Sequence, residues 1–300
     1  MGRRKILAPG LIGGLAAGFA ASLALLPAGC HSTPRVVVGS KNFAEQLLLG
    51  EIAAQQIERR LHVLVDRKLE IGGTLLAHEA LVKGDIDLYP EYTGTALAAV
   101  LKQAAKGDAE SVLAEVRNGY RQWNLRWMDP LGFNDTFSMV VLRTDADARH
   151  IRTLSDAGAY EPGWKLGAGY EFVQRSDGLA GLQKAYGMRL DGKVRTMDLG
   201  LLYAALDQHQ VDMAAANSTD GQLSSARFAA LEDDKHFFPP YQAAFVVRET
   251  ALEKFPGLEQ ALKELSGSLT TESMRELNHQ VEGLHRPGPK VVAEWLGRLK

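Results

Sequence analysis

The feature that most limits how this chain can fold is a helix–strand unit that it uses twice. Ala80-Leu81-Val82-Lys83-Gly84-Asp85-Ile86-Asp87 leads to Tyr92-Thr93-Gly94, and Ala205-Leu206-Asp207-Gln208-His209-Gln210-Val211-Asp212 leads to Asn217-Ser218-Thr219. Aligned without gaps, Asp87 falls on Asp212 and Tyr92 on Asn217. In both, a helix feeds a buried strand whose carboxyl end opens into a polar turn, which is where ligands of open α/β sheets sit. Two lobes of this kind, face to face, enclose a cleft between Tyr92 and Asn217. Any two helix–strand units look alike at this level, so a plain α/β repeat is the alternative.

The flanking pattern extends both units. Val36 to Val38 reads as a strand, followed by a helix from about Phe43 to Arg60, with Asn42 as N-cap and Glu45 completing a capping box. Val63 to Leu69 is a second strand, and Gly72-Gly73-Thr74 turns into the helix Leu75 to Lys83. Ile86 to Tyr89 is a third strand, with a new helix near Thr93. In the second half, Lys165 to Gly169, Lys193 to Met197 and Val211 to Ala215 are strands. Helices start near Asp177 and run from Leu201 to Gln208. The alternation predicts an α/β layer fold with parallel sheets.

Two segments link the lobes. Asp135 to Leu142 carries the chain out, with Thr136 to Val141 as a strand. Lys235 to Val247 carries it back, stiffened by Pro239-Pro240. From about Leu252 the chain reads as helices that return to the first lobe. The expected organisation is residues 1–29 as a signal segment, 30–35 as a linker, 36–136 plus 242–300 as lobe I, and 137–241 as lobe II. A double crossover of this kind lets two lobes close like a hinge around a ligand. At 300 residues the chain is long enough for both.

The N-terminus stands apart. Arg3, Arg4 and Lys5 precede an apolar Gly/Ala-rich stretch from Leu11 to Leu26, and Pro27-Ala28-Gly29 lead into Cys30, the only cysteine. This is the layout of a secretory signal, and it resembles a lipoprotein signal with Cys30 as the acylated residue. Pro27 departs from the usual lipobox, and an uncleaved anchor is the alternative, since a span needs about 20 apolar residues. Either way the body of the protein is expected in the periplasm or on the outer face of the cell membrane. A lone cysteine excludes internal disulfides. The formal charge is −2, and without a basic face a nucleic-acid partner is not expected.

There is no Gly-rich phosphate loop, no His/Cys metal spacing and no nucleophile elbow. His78-Glu79 lacks a second histidine at helical spacing and is expected on a solvated helix face. No catalytic residue, metal ligand or cofactor is therefore assigned. What remains is a set of residues at strand ends and crossovers: Tyr89, Tyr92, Phe137 and Tyr241, with Lys41, Thr95, Asp135, Arg175 and Asp177. Aromatic faces attract a cation, and a methylated ammonium, having no N–H to donate, suits an aromatic box. Lys41 and Arg175 suit a carboxylate at the other end of the same molecule. Taken singly, each aromatic could equally be core.

Gly39-Ser40-Lys41-Asn42-Phe43, Gly72-Gly73-Thr74 and Asp87-Leu88-Tyr89-Pro90-Glu91-Tyr92-Thr93-Gly94-Thr95 together resemble the glycine betaine/carnitine/choline-binding proteins of ABC importers. Gly132-Phe133-Asn134-Asp135-Thr136, Ser218-Thr219-Asp220-Gly221 and Asp233 to Tyr241 continue the match in order. The resemblance implies a two-lobed periplasmic-binding-protein fold of the second type, each lobe a sheet flanked by helices, with two crossovers. It also implies a quaternary-ammonium ligand between the lobes, with separate permease and ATPase subunits as partners; the lipoprotein-like signal implies a membrane lipid anchor. Carried over by position, Tyr92 and Tyr241 are box tyrosines, Phe137 is a third aromatic lacking the hydroxyl, and Lys41, Thr95 and Arg175 hold the carboxylate. Asp135 belongs to the same ligand set, and Asn217 stands where a tyrosine is common, so one wall is weakened. The competing function is a dehydratase-like enzyme acting on small carboxylates, for which Asp135 or Glu91 would be the acid or base, or a receptor for another small polar solute.

Overall fold

The structure is a computed structural model and describes residues 34–299 other than 105, 106, 161, 191 and 193. The expected signal segment and Cys30 lie outside the described residues. Two five-stranded sheets form the framework. The first contains β1 (Arg35–Gly39), β2 (Leu64–Lys68), β3 (Leu88–Tyr92), β4 (Leu125–Trp127) and β10 (Ala243–Arg248), in the order β2-β1-β3-β10-β4. The second contains β5 (Phe137–Leu142), β6 (Leu166–Ala168), β7 (Arg195–Thr196), β8 (Met213–Asn217) and β9 (Phe228–Ala230), in the order β7-β6-β8-β5-β9. The two orders are the same pattern, with β1, β2 and β3 matched by β6, β7 and β8.

Both sheets are mixed, which corrects the expectation of parallel sheets. β1 runs parallel to β2 and β3, but β10 runs antiparallel to both β3 and β4. The second sheet repeats this with β5 between β8 and β9. The cause is the double crossover. β5 and β10 each arrive from the other lobe and enter their sheets from the opposite end.

Side-chain alternation explains why both faces of each sheet are covered. Val36, Val38, Leu88, Phe245 and Val247 face one core layer, shared with the helix α1 (Ala44–Leu61) and the C-terminal helices. Ala244, Val246 and Tyr89 face the other, shared with the helix α2 (Thr74–Lys83) and the helix Ala109–Tyr120. In the second sheet Met139, Val141, Met213 and Ala215 face one layer, and Val140, Leu142, Ala214 and Ala216 the other. Each fully buried Val, Leu or Phe contributes about 1.5–3 kcal/mol.

The repeated unit is closely reproduced, with one shift. Both central strands begin two residues later than the sequence suggests. Ile86 and Val211 are completely or nearly completely buried but lie in the turn, where their N–H groups bond back to Ala80 and Ala205. Asp87 and Asp212 then anchor the strands. Each donates its own N–H to the neighbouring β-segment, at Val37 O and Lys165 O, both at 2.8 Å. Each also accepts the N–H of the same residue on a carboxylate oxygen, at 2.9 and 3.3 Å.

Two local expectations are corrected. Asn42 does not cap α1: the N-cap is Phe43, in extended conformation with no side-chain cap bond, and Glu45 turns inward instead of closing a capping box. His78 is not on a solvated face but buried, packed edge-on against Tyr120 and Trp123. Its neighbour Glu79 does face solvent and pairs with Lys83.

The crossovers pair with each other. Asn134 and Gln242 form an antiparallel bridge, Tyr241 donates its N–H to Asn134 Oδ1 at 2.6 Å, and Asp135 donates its N–H to Tyr241 O at 3.1 Å. The helix Thr271–Glu282 closes over the turn after β8. Arg275 donates twice to Ser218 O, and at Gly221 a β-carbon would collide with the backbone of Asn278 and His279. Gly221→Ala is therefore expected to cost about 1–3 kcal/mol through overpacking against a rigid helix. A thermal melt checks this, with a fall in Tm of several degrees expected.

Candidate functional site

The site is built where the carboxyl ends of β3 and β8 face the crossovers. On the first side, the turn after β1 brings Lys41 against the end of β3. Lys41 Nζ bonds Glu91 Oε1 at 2.6 Å, with both side chains almost wholly buried, and lies 4.7 Å from the Tyr92 ring centroid. Phe43 stacks on Tyr92 at 6.4 Å. Glu91 also accepts the Tyr92 N–H and the Tyr89 hydroxyl. Alternation along β3 sends Tyr89 to the opposite core layer, so it supports Glu91 and takes no part in the aromatic cluster.

The second group centres on Arg175. Its guanidinium forks onto Asp177 at 2.9 and 2.5 Å and donates to Thr95 Oγ1 at 3.0 Å. It lies 5.0 Å from the Phe137 ring and 5.6 Å from the Tyr241 ring. The Tyr241 hydroxyl donates to Asp177 at 2.6 Å, and the Phe137 and Tyr241 rings meet edge to face at 5.7 Å. Gly94 permits this placement, because a β-carbon there would strike the Tyr241 ring. Burial drives the Tyr241 phenol well above its usual range. The Tyr92 phenol is raised in the same way by burial and by the carboxylates beside it.

A third group is acidic. Glu45 accepts the Tyr92 hydroxyl at 2.6 Å and the Asn278 amide at 2.9 Å, and the same amide nitrogen reaches Thr219 O at 2.9 Å. Thr219 Oγ1 donates to Asp135 at 2.8 Å. Glu45 and Asp135 are 4% and 7% exposed. Burial, reinforced for Asp135 by the nearby Glu45 charge, holds both above the ordinary carboxylate range. Asn217 pairs with Phe137 across the antiparallel ladder, so the two side chains leave the sheet on the same face. Its N–H is held by Asp220, whose carboxyl also accepts the Tyr203 hydroxyl.

The cleft is closed by bonds between the lobes. Besides Arg175 to Thr95, Glu171 of the short helix Tyr170–Gln174 accepts the Thr74 N–H at 2.7 Å and its hydroxyl at 3.1 Å, serving as a cap for α2. Burial pushes Glu171 up, but Lys41, the Thr74 N–H and Arg175 outweigh it and hold it below the usual carboxylate value. A cavity of about 880 Å³ opens beside the crossovers, lined by Gly94, Asn134, Thr136, Asp177, Phe237 and Pro240, with the three aromatic rings outside its lining.

All eight residues expected from the sequence lie in this region. Tyr92 and Tyr241 share one buried apolar cluster with Phe137 packed against it, and Asp135, Thr95, Arg175, Lys41 and Asn217 surround it. Glu45, Asn278, Thr219 and Glu171 were missed as site residues. Glu45 was hidden by its capping-box spacing. Asn278 had no signal, because it comes from a distant helix.

The profile of one protein family, the substrate binding domain of ABC-type glycine betaine transport systems, matches residues 34–298. This chain belongs to that family. It is 36% identical over 93% of its length to the ergothioneine transport permease/ergothioneine binding protein EgtU of Helicobacter pylori, and spans half the length of that relative. It is 32% identical to the carnitine transport binding protein OpuCC of Listeria monocytogenes, covering 92% of this chain and 90% of that one. Its fold is similar to a crystal structure of a glycine betaine/carnitine/choline ABC transporter, with a TM-score of 0.74 at 29% identity, over 88% of this chain and 98% of the other. The two-lobed fold of the second periplasmic-binding-protein type, inferred from the resemblance, is thus established. Among the described residues no helix is long and apolar enough to cross a membrane, and no cluster of metal-ligating side chains is present.

The buried acids make stability pH-dependent. Burial and the neighbouring Glu282 raise Asp220 to about 7 from an ordinary 3.8. The native state keeps a proton that the unfolded chain has released, so its stabilisation is complete below about pH 3.8 and is lost as pH rises toward about 7. Asp220→Asn keeps an acceptor for Tyr203 and the Asn217 N–H. It should flatten the fall in stability between pH 5 and 7.5, measured by denaturant titration. A slope equal to that of the unaltered protein would contradict this assignment.

Proposed function

We propose that this chain captures a small quaternary-ammonium solute between its lobes and delivers it to the permease and ATPase subunits of an importer. The observation that carries the reading is that Tyr92, stacked on Phe43, and Tyr241, packed edge to face with Phe137, border the same apolar core, with the buried Glu45 bonded to Tyr92 and Asp135 bonded to the Tyr241 carbonyl. These rings already hold Lys41 and Arg175 at distances a ligand ammonium would use. The ligands named for the relatives, ergothioneine, carnitine and glycine betaine, are all trimethylammonium carboxylates. Thr95 and Arg175 stand where the carboxylate would bind, Arg175 by exchanging part of its bonding to Asp177 and Thr95 for the ligand; Lys41 is largely spent on Glu91.

In this reading, residues 36–136 with 242–300 form one lobe and 137–241 the other, and the Thr74–Glu171 and Thr95–Arg175 bonds favour the closed state. The protein works outside the cytoplasm, held to the membrane by a lipid on Cys30. The enzyme alternative loses its candidates. Glu91 is neutralised by Lys41, and Asp135 is engaged by Thr219 in a network with no nucleophile.

Calorimetric titration of the purified protein with glycine betaine, choline, carnitine and proline betaine tests the proposal. Saturable binding of at least one is expected. Tyr241→Ala should weaken it by about 2 kcal/mol, roughly thirty-fold, for loss of one desolvated cation–π face. Binding of an ordinary amino acid or carboxylate instead, with none of these four, would overturn the ligand class.

A further inference from the structure

Among the described residues seven large apolar side chains are exposed, and five of them, Leu75, Leu76, Val82, Tyr170 and Leu201, lie along one path across the surface. On α2, Leu75, Glu79 and Val82 follow one another at helical spacing and share the outer face with Leu76 and Lys83, while Ala77, His78 and Leu81 face inward. Glu171 caps the first turn of α2, which brings its neighbour Tyr170 to that end of the helix. Tyr170 follows Gly169, where a β-carbon would strike the Leu199 side chain. Leu199 opens the turn Leu199–Leu201 that leads into the helix Leu202–Asp207.

The two ends of this path correspond. The gapless alignment that sets Asp87 on Asp212 also sets Leu76 on Leu201 and Leu81 on Leu206. Leu81 and Leu206 are wholly buried, as the packing of each helix–strand unit requires, whereas Leu76 and Leu201 are each 56% exposed. Single exposed apolar residues are ordinary, but contiguous ones mark interaction surfaces, and here the same residue is left outside in both units. A surface that repeats itself in this way fits a partner that presents one segment twice, as two copies of a subunit related by a two-fold axis do.

Charge selects the kind of partner. Glu79 and Lys83 pair at 2.5 Å, so the outer face of α2 carries no net charge. Anionic lipid attracts clusters of Lys and Arg, and this face has none, which favours protein over a lipid surface. In the Helicobacter pylori relative, permease and binding protein share one chain, of which this chain spans half.

We propose that Leu75, Leu76, Tyr170 and Leu201 form the docking surface for the importer's permease, which meets it with one segment in two copies, one against Leu76 and the other against Leu201. This rests on the importer reading above and adds to it the surface and the two-fold form of the partner.

The test places a photo-crosslinking benzoylphenylalanine at position 76, 201 or 64 of the full chain in the cells that make it, and sequences the crosslinked peptides by mass spectrometry. Leu64 is the control, because it is 51% exposed but starts β2, whereas α2 follows the other end of that strand. Positions 76 and 201 should both join to the same segment of one permease polypeptide, and position 64 should not. Leu76→Asp and Leu201→Asp should each lower uptake of the betaine that titrates the purified protein about ten-fold, as for an interface anchor, with calorimetric affinity unchanged. Leu64→Asp should alter neither. Crosslinks from 76 and 201 only to lipid, only to a second copy of this chain, or to nothing would overturn the surface. Joining to different permease segments would overturn the two-fold match, and full uptake with both leucines replaced would overturn the docking role. If the purified protein binds no betaine, the ligand reading fails while permease crosslinks still sustain the surface. If a betaine binds and no permease is crosslinked, the surface fails alone.

Discussion

The short antiparallel contact between the two crossovers governs the rest of this molecule. Asn134 and Asp135 exchange bonds with Tyr241 and Gln242, and that contact sets three things together. It aims Tyr241 into the cluster, it holds Asp135 beside Thr219, and it starts β5 in the register that puts Phe137 opposite Asn217. The aromatic residues come from strand ends and crossovers far apart in sequence, yet they meet because both chain passages are tied at one point.

Charge is the second organising constraint. Lys41–Glu91 and Arg175–Asp177 are buried pairs, and burying an ion pair has a desolvation cost that its attraction often only offsets. Their value here is geometric. Each pair clamps a cation against an aromatic ring, and Arg175 also reaches Thr95 across the cleft. The surplus acids behave differently. With no ion-pair partner among the described residues, burial holds the Glu45 and Asp135 carboxyls above their ordinary range.

Much of this was legible in the sequence, for identifiable reasons. The repeated helix–strand unit was visible because Gly84 with Ile86 and Asp87 recurs in kind as Val211 with Asp212, and those residues perform the same turn and anchoring roles in both lobes. The eight candidate residues came from a run of short strings matched to a family, and they lie in one region of the fold. Mixed sheet direction was not legible, because alternation along β10 is the same whichever way the strand runs. Glu45 was misread because a carboxylate three residues after Asn42 satisfies a local rule, and tertiary bonds to Tyr92 and Asn278 prevailed over it. His78 was misread because a lone polar residue on a helix gives no sign that Tyr120 and Trp123 cover it.

The exchange of β5 and β10 between the sheets also has a consequence for how the chain becomes a folded object. The first sheet lacks its fourth member until residues 243–248 are present, after the whole second sheet has been made. Until then β3 has an open edge along the side where β10 belongs, and open edges invite pairing with other chains. A polypeptide emerging from its amino terminus, whether from a ribosome or through a membrane, therefore cannot finish its first lobe early. Completion of both lobes is close to a single late event, dominated by contacts between distant segments, and such topologies fold slowly.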